Sequence, residues 1–101
     1  MSATTINQIC EAIRLRVLLA FEYQGYPRLV EPYCHGTSTT GDQVLRAVQV
    51  GGSSKSGGLG FGKLWSLADM KSVRLTGENF VPSDPSYNPD DRHMKLIHCR
   101  I

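Results

Sequence analysis

The sequence predicts a mainly β (α+β) domain: a small antiparallel β-barrel preceded by one N-terminal helix. Three observations lead there. Ile6, Ile9, Cys10, Ile13 and Val17 recur at helical spacing at the start of the chain. The apolar pattern then changes to strand alternation, with Leu19, Phe21 and Tyr23 two residues apart on one face. Short strand-like runs follow at close intervals, and five of them behind a single helix suit a strongly bent antiparallel sheet.

The helix is expected over residues 5–16. Thr5 and Gln8 have the spacing of a capping box, and Arg14 and Arg16 suit the negative end of the helix dipole. Val17 to Gln24 is rich in β-branched and aromatic residues and reads as the first strand. Gly25-Tyr26-Pro27 is a turn signal, so Arg28 to Tyr33 returns antiparallel as a hairpin. Pro32 has no N–H to donate, which places it at a sheet edge or a bulge. His35 to Gly41 is polar and Gly-containing and reads as a loop, followed by a third strand from Asp42 to Val50.

Gly51 to Gly62 holds six glycines and three serines in twelve residues, the composition of a long flexible loop. Gly57, Gly62 and Lys63 match the start of a phosphate-loop pattern, but Leu64 stands where Ser or Thr is required. A strand rather than a helix follows, so a nucleotide-hydrolysing loop is rejected. Lys63 to Leu67 and Lys71 to Thr76 are short strands around a tight helical turn at 68–70. Three prolines between Phe80 and Pro89 favour an extended surface path. Asn88-Pro89-Asp90-Asp91 reads as the start of one helical turn, and Met94 to Ile101 as a last strand. The whole chain, 1–101, is one domain: helix 5–16, barrel 17–76 and a C-terminal extension 77–101. Small bent sheets of this size are typically SH3-like or Sm-like barrels.

A hydrophobic fraction of 41% is enough for one ordinary core. The longest uncharged apolar run, Val17 to Phe21, is too short to span a bilayer, and Met-Ser-Ala-Thr-Thr does not start like a signal peptide. The expected location is the cytoplasm, with no membrane partner. The three cysteines, Cys10, Cys34 and Cys99, are an odd number without framework spacing and are expected as reduced thiols. Cys34-His35 and His98-Cys99 look like metal-ligand pairs. Neighbours on a strand point to opposite faces, however, and no Cys-x-x-Cys exists, so no metal or cofactor is expected.

A net charge of +2 does not by itself argue for nucleic acid. Between Gln43 and Thr76, Arg46, Lys55, Lys63, Lys71 and Arg74 face Asp69 alone, which fits an anion-binding face or a solvated surface. No catalytic motif is present and the acids are scattered, so no enzyme is expected. Binding chemistry has better candidates: Arg28, Tyr33, His35, Arg46, Lys63 and Trp65, cations to pair an anion and rings to stack on a base. Arg46 interrupts an apolar strand, and if it points inward it needs an acid such as Glu31 or Glu22.

Arg28-Leu-Val-Glu-Pro-Tyr33 follows a helix and an aromatic-rich strand, and Leu64-Trp-Ser-Leu-Ala-Asp-Met-Lys-Ser-Val-Arg-Leu-Thr-Gly-Glu78 comes later. That order resembles the WYL domain over about residues 6–80. The trio that names the family is replaced by Gln43-Val44-Leu45, and Trp65 to Met70 lacks the two arginines common in the corresponding family strand. The resemblance implies an SH3-like fold and a ligand-sensing regulatory module, with Arg28 at a commonly basic position and Trp65 at the family's aromatic one. The expected ligand is a nucleotide or short single-stranded nucleic acid, and the expected protein partners are a regulatory protein or a second copy of the chain. The alternative is an SH3-like protein-interaction or self-association module with no small ligand.

Overall fold

The apolar stripe of the first segment makes a helix because it has something to cover. The computed structural model, which describes residues 3–52, 62–82, 87–88 and 90–101, places α1 at Ala3–Leu15. Ile9, Ala12 and Ile13 are fully buried under it, Ile6 packs at the margin, and Asn7 faces solvent. The helix starts two residues before Thr5, so that residue lies within the first turn and is not the expected N-cap. It stops where Arg16 takes a left-handed φ of 54°. The freed carbonyls of Leu15 and Arg16 accept hydrogen bonds from the Asn79 side chain, and the Phe80 N–H donates to Arg16 O.

Six antiparallel strands follow: β1 (Val17–Tyr23), β2 (Tyr26–Ser38), β3 (Gln43–Gly52), β4 (Gly62–Ser66), β5 (Met70–Asn79) and β6 (Met94–Arg100). One 3₁₀ turn at Leu67–Asp69 carries the chain from β4 to β5. The sheet order is β4-β3-β2-β1-β5, with β6 also on β2. The pairing path ends at β4 and β5, so the sheet is open and the expected closure into a barrel is not seen.

The β1–β2 turn is Gln24-Gly25, one residue before the stretch that composition favours. Both residues have positive φ, 54° and 80°, the combination a two-residue hairpin needs. The larger departure is β2, which runs on through His35–Ser38, where a polar loop was expected. Its second edge pairs with β1 at residues 26–30 and with β6 at residues 34–38. Pro32 sits at that hand-over, beside a register shift between Pro32 and Cys34, where its missing N–H is tolerated. Gly36 allows the crossing: a Cβ there would lie 2.1 Å from Leu96 O of β6.

Both faces of the sheet are covered. On one, α1 packs with Leu19, Phe21, Val30, Leu45, Ala47, Trp65 and Leu67. On the other, Tyr33, Cys34, Val44, Val48 and Met94 are covered by Phe80, Tyr87 and Ile97. Phe80 and Tyr87 thus pack onto a second core; residues 83–86 and 89 of the expected extended surface path lie outside the described residues. Residues 90–94 form side-chain turns, Asn88 Oδ1 accepting from Asp90 N and Asp91 Oδ1 from His93 N, in place of the expected helical turn. Most of the glycine-rich stretch, residues 53–61 including the phosphate-loop-like Gly57, lies outside the described residues. No helix among the described residues is long and apolar enough to cross a membrane.

Candidate anion-binding site

Arg28 is set by the hairpin. It lies opposite Phe21 on β1 and Gly52 on β3, and its side chain is only 5% exposed. The guanidinium carbon is 5.4 Å from the Trp65 ring centre, 5.7 Å from that of Tyr23 and 5.8 Å from that of Tyr26. Nη1 donates to Gln49 Oε1 (3.2 Å) and Nη2 to Tyr23 O (3.3 Å), while Nε is buried without a partner. No carboxylate among the described residues lies within ion-pairing reach of Arg28, and its charge is offset by ring quadrupoles and neutral acceptors.

The rings are fixed by edge-on packing. Trp65 meets Tyr23 at 4.9 Å and Phe21 at 5.4 Å, both near perpendicular. Trp65 Nε1 donates to Ala47 O, and Tyr23 Oη accepts from Ser66 N. Lys63 joins the group, its Nζ 5.7 Å from the Trp65 ring centre. Two cations thus share one indole, with partly exposed Tyr26 beside them.

The other candidates lie elsewhere. Arg46 is three residues from Gln49 in a regular part of β3, so it points to the opposite face from the Arg28 group. Its partner is neither Glu31 nor Glu22 but Asp91, with Nε donating to Oδ2 at 2.7 Å, and Nη2 lies 3.2 Å from His93 Nδ1. Burial pushes the Asp91 carboxyl up, but bonds from Arg46 and the His93 N–H outweigh it and hold its pKa below the usual value. Tyr33 is fully buried; its hydroxyl donates to Glu31 Oε1 at 2.6 Å, and its ring packs on Tyr87 and Phe80. It is core and offers no stacking surface.

His35 is also fully buried and faces α1. Burial first, then neighbouring His98, push its pKa down to about 4 against a weaker pull from Gln43, so it is neutral at pH 7. Its Nδ1 lies 3.8 Å from both Cys10 Sγ and Cys99 Sγ. Those two sulfurs form a disulfide across a sequence separation of 89, which corrects the expectation of three reduced thiols. Cys34 is the free thiol, buried on the other face; burial, then Asp91, push it up to about 11, which leaves it a poor nucleophile.

Of the six sequence candidates, the fold brings together Arg28, Lys63 and Trp65. Sequence reasoning missed Tyr23, Tyr26 and Gln49, which complete the Arg28 environment. The hairpin was the available signal for the tyrosines, since a two-residue turn pairs the positions that flank it. Comparison with protein-family models, curated proteins and solved structures finds no match to this chain.

Proposed function

We propose that the chain is a non-enzymatic, WYL-like regulatory module that binds an anionic ligand, a nucleotide or short single-stranded nucleic acid, beside Arg28, Lys63 and Trp65. One observation carries this reading: Arg28 is a buried cation with no carboxylate beside it among the described residues, and it shares an indole with a second cation. Rings and neutral acceptors offset this charge without cancelling it, and an anion at the Lys63 side of the cluster adds the missing counter-charge. Tyr26 offers a ring at the same place for a base. The strand order, with a 3₁₀ turn between β4 and β5, supports an SH3-like or Sm-like arrangement, and with it the resemblance to WYL domains. Cytoplasmic residence belongs to the same reading.

A second reading is an SH3-like protein-interaction or self-association module. It rests on Leu96, 55% exposed on β6, which among the described residues pairs with β2 alone.

Fluorescence anisotropy with labelled single-stranded DNA, RNA and nucleotides at two salt concentrations tests the first reading. Lys63→Ala should weaken binding and lower the salt slope by about one unit. Arg28→Lys should weaken it further, because the planar fork over the rings is lost. Arg46→Ala, checked for folding, should leave it unchanged. No binding at low salt, or an equal loss in the Arg46 variant, refutes the anion site.

A further inference from the structure

The two Cys-His dipeptides do not each supply a ligand pair, but the fold selects one residue from each. His35 and Cys99 are paired across β2 and β6, and Cys10 comes down from α1. The donor atoms Cys10 Sγ, Cys99 Sγ and His35 Nδ1 all lie within 4.8 Å of one another. We propose that the reduced chain binds a zinc ion through these three atoms.

The geometry is close to what zinc requires. Bonds of about 2.3 Å to sulfur and about 2.0–2.1 Å to nitrogen at tetrahedral angles separate S from N by about 3.5 Å and S from S by about 3.8 Å. Both S–N separations are already 3.8 Å. Only the sulfurs must part, by side-chain rotation between Cα atoms 5.7 Å apart. His35 supplies an independent sign. It is fully buried, its Nε2 has no hydrogen-bond partner, and its Nδ1 faces only sulfur, a weak acceptor. A buried imidazole nitrogen that meets only sulfur is poorly satisfied, and an ion at Nδ1 supplies the strong partner that atom lacks.

Access and coordination number also fit. Cys10 and Cys99 line an open surface depression of about 470 Å³ with Asn7, Glu11, Arg14 and Arg100. An ion enters there, and water takes the fourth position. The chemistry balances. A phosphine or dithiol reductant gives two electrons to the S–S bond, which takes up two protons to form two thiols. Zinc then displaces those two protons to solvent and accepts the Nδ1 lone pair, leaving the His35 proton on Nε2.

The test uses the full chain, reduced with a phosphine and titrated with Co²⁺ as a spectroscopic stand-in for zinc. One equivalent should produce thiolate-to-cobalt charge-transfer bands and the visible bands of a tetrahedral ion, and zinc should bleach them. The oxidised chain should give none. Cys34→Ser should bind as the parent does, whereas Cys10→Ser, Cys99→Ser and His35→Gln should each weaken binding by at least about tenfold. As a measurement free of variants, zinc should protect Cys10 and Cys99 of the reduced parent from alkylation, read by mass spectrometry. A folded, reduced parent without cobalt bands overturns the proposal. So do equal alkylation with and without zinc, or bands that depend on Cys34.

Discussion

Reducing the Cys10–Cys99 bond is the perturbation whose size follows most directly from the structure. The bond joins α1 to β6 across a sequence separation of 89, so it closes nearly the whole chain into a loop. In the chain-entropy treatment, a loop of that length removes about 15 cal/mol/K from the unfolded ensemble, or about 4.6 kcal/mol at 25 °C. Removing a native disulfide from a small domain typically costs about 2–5 kcal/mol, and the long loop puts this one in the upper part, about 3–5 kcal/mol. A domain of this size has a total stability of about 5–15 kcal/mol, so the reduced chain is close to the lower limit for folding. The assay is urea unfolding of oxidised and phosphine-reduced protein, with a chelator present to keep metal out. With a slope of about 1.5 kcal/mol/M, the midpoint should fall by about 2–3 M on reduction. The slope itself should rise, because the unlinked chain exposes more surface when unfolded. Thiol titration should find one free thiol in the oxidised protein, Cys34, and three in the reduced. Equal midpoints with reduction verified, or three free thiols after oxidation, refute the reasoning.

Asp91→Asn should destabilise the fold by about 1.5–3 kcal/mol, the size of a charge-assisted hydrogen bond, because Arg46 loses its carboxylate. The folded pKa of Asp91 is depressed, so its contribution is present above the ordinary carboxyl range near pH 4 and lost as pH falls through the lower folded value. Acid unfolding of parent and variant should therefore converge at low pH, and parallel curves would contradict this. Arg16→Gly should raise the thermal midpoint, gaining up to about 1 kcal/mol by relieving a left-handed φ at the end of α1. Gly36→Ala should detach β6, since the new Cβ meets Leu96 O; amide exchange should accelerate first across Met94–Arg100, and unchanged protection there would count against the packing described.

Periodicity made α1, β1, β3, the β4–turn–β5 unit and β6 legible, because each buries one face and writes that face into the sequence. His35–Ser38 failed for an identifiable reason. Gly36 has no side chain to pattern, and it is present because another strand crosses there. The polar residues around it read as a loop when taken one segment at a time. The candidate site was half legible. Arg28, Lys63 and Trp65 could be named, but the separation of Arg46 from them depends on sheet alternation and register. Its acid, Asp91, is 45 residues away and invisible to local reasoning. The Cys10–His35–Cys99 group was missed for the complementary reason: considering each Cys-His dipeptide alone correctly excluded two ligands from one pair, but could not foresee one from each.

The length of β2 has a mechanical consequence. Thirteen residues fully extended span about 40 Å at 3.3 Å per residue. The extents along the principal axes are 29, 29 and 27 Å, all shorter than that span, which fits a curved strand. The register shifts against β3, at Leu29/Val30 and Pro32/Cys34, are places where such curvature is generated. Beyond its exposed start at Tyr26 and Pro27, the curved strand lies between apolar cores and has little solvent face onto which an error could be moved. A one-residue slip of β3 along it would carry Arg46 into the layer under α1 and Leu45 into the Tyr33 layer, so each core acts as a lock on the alignment of the other.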